Sequence, residues 1–258
     1  MKHLVRYIVI ISFLISLSNC LSGQESAREV FIKATDQLLT ENMELSLEMS
    51  IKDKKGRVKE KGYDILLAHF GDVEKTKMSF QKPVQAKGTT VIFTKLPDET
   101  GLIEVYTPSN GKIRKLQATP DNMKMVGSEA QITNVTAKDP DDLEFIMLPA
   151  QNVEGKRCYT IDVKDKANTD QARGELMIEM DTYRIVQITV FNSEGVKTSF
   201  VTLSDFQPVD GFANKMQPMM IVTEDFESEK LTEMRVLKVE SRTDLSEADF
   251  QLPDPQDI

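Results

Sequence analysis

Cysteine and histidine are nearly absent from this 258-residue chain, which has two of each. Metal sites usually need several such residues at set spacings, and no such spacing occurs here. Cys20 lies in an N-terminal stretch that reads as removed or lipidated, so Cys158 is left as a single thiol. An ordinary internal disulfide is thereby excluded, and stability must come from packing. A G-x-S-x-G elbow, a P-loop and a G-x-G-x-x-G fingerprint are all missing. Basic charge is also short, with 32 basic against 41 acidic side chains and a net charge of -9, so nucleic acid is excluded as an expected partner. The apolar run from Tyr7 to Leu17 falls short of the ~20 residues that span a bilayer.

That run follows Lys2 and Arg6 and is closed by Ser18 and Asn19, the pattern of a secretory signal over residues 1–23. Residues 24–258 are then expected to form one exported domain, with no repeat period or linker to divide them. Leu17-Ser18-Asn19-Cys20 approximates a bacterial lipobox, in which Cys20 is lipidated, becomes the new N-terminus and holds the chain to a membrane. Cleavage after Ser22 or Gly23 is the competing reading, and it leaves a free periplasmic protein.

What the chain does have is alternation. Ala27, Val30, Phe31, Ala34 and Leu38 recur at helical spacing behind a Ser26/Glu29 capping box, which predicts an amphipathic helix from Ser26 to Leu39. After Thr40 the period becomes two. Leu45, Leu47, Met49 and Ile51 alternate with polar residues, and the same signature returns in ELMIEMD and IVQITV, giving about ten strands in all. Lys54-Lys55-Gly56, Phe70-Gly71-Asp72, Ser109-Asn110-Gly111, Glu154-Gly155, Ser193-Glu194-Gly195 and Asp210-Gly211 separate them. Turns this short join antiparallel neighbours, since a parallel crossover needs a dozen residues or more. Asp139-Pro140-Asp141-Asp142 carries the cap, the first-turn proline and the acids of a second, brief helix.

His69 sits at strand spacing from Ile65 and Leu67, the place of a rim histidine. Cys158, in RCYTIDV, reads as a structural thiol. No catalytic residue, metal ligand or cofactor is expected. The richer signal is apolar: the chain has 13 methionines, several at strand spacing, and methionine suits surfaces that receive apolar ligands of variable shape. One large sheet with only one good helix and one short one is also under-covered. The inward, ligand-contacting face is expected to include Phe93, Val105, Met123, Met125, Ile178, Met180, Ile188, Met219 and Val236. Ordinary core packing is the other reading of each.

Val105-Tyr106-Thr107-Pro108, the basic cluster Lys112-Ile113-Arg114-Lys115, and Met125-Val126-Gly127-Ser128-Glu129 resemble a passage of the outer membrane lipoprotein-sorting proteins of the LolA/LolB superfamily. Asp210-Gly211 followed by Pro218, and Asp244-Leu245 leading to Phe250, resemble their later segments. Ala130 departs from the pattern, standing where that group commonly has an aromatic. The resemblance spans roughly residues 27–250. It implies a mainly β (α+β) fold, a single large curved antiparallel sheet or half-barrel, with the N-terminal helix and a short helix over its concave face. It implies a non-enzymatic carrier of the acyl chains of lipoproteins or lipids, in exchange with an inner-membrane transporter or exporter. A lipid-sensing or accessory module of a membrane exporter is the alternative. Lys112, Arg114 and Lys115 either face a phosphate or acidic partner or flank a solvated turn.

Overall fold

The computed structural model describes residues 25–38, 42–96, 101–119, 139–167, 173–212 and 215–252. Helix α1, Ala27–Thr35, opens them. Ser26 is its N-cap, and the capping box is complete: the Ser26 hydroxyl accepts from the Glu29 N–H while Glu29 accepts from the Ser26 N–H at 2.8 Å. The helix ends with Asp36 at the C-cap, one turn short of the expected Leu39, so Leu38 falls outside it. Thr35 marks the end chemically, its hydroxyl turning back onto the carbonyls of Phe31 and Ile32.

Among the described residues thirteen strands follow, against about ten expected: β1 Met43–Lys52, β2 Val58–Phe70, β3 Val73–Lys82, β4 Thr90–Lys95, β5 Gly101–Thr107, β6 Lys112–Gln117, β7 Leu143–Val153, β8 Lys156–Asp165, β9 Arg173–Glu179, β10 Ile185–Phe191, β11 Lys197–Pro208, β12 Met216–Asp225 and β13 Lys230–Ser241. They form a single unclosed antiparallel sheet ordered β6-β5-β4-β3-β2-β1-β13-β12-β11-β10-β9-β8-β7. Every neighbour pair is consecutive in sequence except β1–β13, so two meanders meet at one seam. All six expected turn glycines, Gly56, Gly71, Gly111, Gly155, Gly195 and Gly211, take positive φ. Register shifts in five of the pairings bend and twist the sheet.

The expected second helix is a single 3₁₀ turn, Pro140–Asp142, capped by Asp139. It buries nothing and leads straight into β7, so it covers little of the sheet. Asp141 instead binds Arg28 of α1 at 2.5 Å.

Burial follows from the register. On one face, called inner here, α1 buries Val30, Phe31 and Ala34 against Leu143, Ile161, Leu176, Ile178, Ile188, Val201, Leu203 and Ile221 of the C-terminal meander. Phe31 and Phe145 meet with ring centroids 4.9 Å apart. Across the seam the same face carries Leu47, Met49 and Tyr63, with Leu45, Ile65, Met78, Phe80 and Met234 packed around them. On the opposite, outer face the segment after β13 lies over β2 and β3, where Leu245 and Phe250 cover Ala68. Arg242 pairs with Glu44 there, and Lys77 donates to the Asp249 carbonyl at 2.7 Å.

Candidate functional site

Cross-strand register turns the inner face of the N-terminal meander into rows. Leu45 faces Ile65, Ile65 faces Met78, Met78 faces Val91, Val91 faces Val105, and Val105 faces Arg114 on the edge strand. Apart from Val91, which is buried, the apolar members of this row are only half-buried. A second row runs from Val236 through Leu47 and Tyr63 to Phe80. Tyr63 and Phe80 contact edge to face at 4.8 Å. α1 packs against β7 and β8 at the far end of the sheet, so among the described residues no helix packs on this surface. A contiguous, incompletely covered apolar surface of this kind is the usual mark of a binding face.

The residues expected to line the site divide by position. Phe93 and Val105 lie half-buried on β4 and β5 of the N-terminal meander. Gly101 makes room for Phe93: a Cβ at Gly101 would sit 3.1 Å from its ring. Val236 is buried at the seam opposite Leu47. Ile178 and Ile188 are closed off beneath α1 and belong to the packed core. Met180, just past β9, and Met219, on β12, are half-buried and join none of the buried clusters. Met123, Met125 and Cys20 lie outside the described residues. Ile65, Met78 and Phe80 were not singled out from sequence, although Thr76, Met78 and Phe80 alternate with charged and small residues in KTKMSFQK.

Polar groups cluster elsewhere. Glu25, ahead of α1, accepts hydrogen bonds from Tyr159 at 3.1 Å and Tyr183 at 2.8 Å and pairs with Lys33. The Lys33 hydrogen bond, then that of Tyr183, hold the Glu25 carboxyl below the ordinary range. Burial and the adjacent Glu25 carboxylate push Tyr159 up to about 12. This network ties the start of the helix to β8 and the β9–β10 turn. On the outer face, a cleft of about 250 Å³ is bordered by Lys156, Glu179, Arg184, Thr202 and Ser204. Glu179 is buried there, bonded to Lys156 at 2.6 Å and Thr182 at 2.7 Å.

His69 is exposed, 3.5 Å from Glu74. Cys158 is fully buried, and burial raises its thiol, which disfavours the reactive thiolate. Among the described residues no group of three or more His, Cys, Asp or Glu is placed to hold a metal ion. No described helix is long and apolar enough to cross a membrane.

Comparison with solved structures gives the same architecture over most of the chain. A DUF1329 family protein from Desulfovibrio piger superposes with a TM-score of 0.73 at 17% identity, covering 87% of this chain and 95% of that one. A domain from Vibrio parahaemolyticus, named for outer membrane lipoprotein sorting, gives 0.71 at 15% identity, covering 87% and 96%. A LolA superfamily protein from Nitrosomonas europaea gives 0.63 at 12% identity, covering 88% and 98%. At these identities the likeness is one of fold. Comparison with curated proteins gives no match. A family model described as "uncharacterized protein" matches residues 72–253, from the start of β3 past the outer-face strap. The chain belongs to that family of uncharacterized proteins, and its fold is that of the LolA superfamily.

Proposed function

We propose that the protein is a non-enzymatic carrier that holds acyl chains of lipoproteins or lipids against the inner face of its N-terminal meander. The observation that carries this reading is the half-buried apolar row from Leu45 to Val105, outside the cover of α1. Each methylene moved from water onto such a surface contributes about 0.8 kcal/mol, so a long chain binds without any charged contact. Transfer then needs no chemistry: cargo moves toward whichever partner holds it more tightly. The sorting domain from Vibrio, which shares the fold, lends the reading its cellular setting. In that setting the signal segment within residues 1–23 directs export and residues 24–258 form the periplasmic domain, held to the outer membrane where Cys20 is lipidated as the first residue of the mature chain and free where cleavage falls after Ser22 or Gly23.

Displacement of a fluorescent fatty acid tests the proposal. Wild type should bind it, and Met78→Glu should lower affinity at least tenfold, because a carboxylate among apolar ligand contacts costs several kcal/mol unless hydrated. Met78 is half-buried, so the variant should keep the wild-type circular dichroism spectrum. Absence of binding by wild type, or unchanged affinity in a folded Met78→Glu, overturns the reading.

A further inference from the structure

The apolar row ends on a charge. Val105 faces Arg114 across the β5–β6 pair, and Lys112, two residues earlier on β6, points to the same inner face. Strand alternation sends the third basic residue, Lys115, to the outer face, where it pairs with Glu104 at 2.6 Å. Lys112 and Arg114 are exposed and make no ion pair among the described residues. Six strands separate Leu45 from Arg114 inclusively, about 24 Å at the usual strand spacing. That is ample for one acyl chain, since half of a bilayer's ~30 Å hydrocarbon core is a single chain deep.

From this juxtaposition we infer that Arg114 and Lys112 form a headgroup site for a phosphate-headed lipid, whose acyl chain lies along the row toward Leu45. The inference rests on the acyl-binding reading above and adds to it which end of the row takes the head and what charge that head carries. Arg114 suits the task, because its planar guanidinium presents paired donors that match two phosphate oxygens. Lys112, a compact charge beside it, balances the same anion. Basic residues on an edge strand also discourage pairing with other sheets. Lys115 on the outer face serves that purpose equally well, so edge protection alone gives no reason for a lipid-class preference.

The test compares lysophosphatidylglycerol with lysophosphatidylcholine of the same chain length, on the full mature protein below the micellar concentration of either. Wild type is expected to favour the anionic lipid roughly fivefold, the scale of one or two exposed charge pairs, and 0.5 M salt should erase the preference. The double variant Lys112→Gln with Arg114→Gln should bind both lipids with the affinity wild type shows for lysophosphatidylcholine. Lys115→Gln should leave the preference intact. Equal wild-type affinities, or a preference that survives in the double variant, overturns the headgroup site while leaving acyl binding in place. If wild type binds neither lipid, the acyl-binding reading itself falls and takes this inference with it.

Discussion

Glu179 illustrates how a buried carboxylate in this sheet is kept ionised. Burial alone pushes its pKa up, but hydrogen bonds from Lys156 and Thr182 and the charges of Lys156 and Arg184 outweigh that and leave it below the ordinary value of 4.5. With the folded-state value lowered, the contribution is complete above pH 4.5 and is lost as pH falls through the lower, folded-state value. Glu179→Gln should therefore show a flatter stability-against-pH profile than wild type below pH 4.5, measured by urea denaturation. Lys156→Ala removes the hydrogen-bonded cation and leaves only the charge of Arg184 nearby. Because the Lys156 side chain is 61% exposed, water replaces part of the lost interaction, and the expected cost is about 1–2 kcal/mol at neutral pH. At this scale the sequence spoke unevenly. The structural role of Cys158 followed from its alternation, whereas Ile178 and Phe93 looked alike on paper and differ only because α1 covers one and not the other. Glu179 carried no local signal, since its partners Lys156 and Arg184 come from different strand ends.

At the scale of elements, α1 is the instructive case. Nine residues are too few for a stable isolated helix, so its existence depends on docking to the sheet. Phe31 is fully buried against Phe145, and Phe31→Ala should destabilise the protein by about 3–5 kcal/mol in thermal or urea unfolding. Ser26→Ala, which breaks only the capping box, should cost about 1 kcal/mol. If the two variants cost the same, docking is not what holds the helix. The capping box made the start of α1 readable, while its end was not, because Leu38 continues the apolar period beyond the last helical residue. Strands facing water on one side, such as β1, were legible from alternation. β2 blurred, since Ile65, Leu66, Leu67 and Ala68 run without a break. Its inner residues face the apolar rows and its outer ones lie under Leu245 and Phe250, so both faces are covered and the period of two disappears.

The whole molecule is two meanders that lend each other cover. The N-terminal segment supplies α1 to the inner face of the C-terminal meander, and the chain after β13 straps the outer face of the N-terminal one. The short turns made the antiparallel order within each meander readable. The β1–β13 seam was not, because it joins residues such as Met43 and Ser241 that lie almost at opposite ends of the domain. Reciprocal cover means that neither half should unfold alone. Ser50, inside β1 and paired with Glu60 on one side and Glu233 on the other, is a place to test this. Proline there removes a donor from a central strand at about 3 kcal/mol or more, which for a chain of this size lowers the melting temperature by roughly 6–12 °C. Hydrogen exchange read by mass spectrometry should then show peptides from β4–β5 and from β9–β10 losing protection together, with equal opening free energies. Loss confined to β4–β5 would show that the meanders are separate cooperative units joined only by the seam, and that α1 and the outer strap do not couple them.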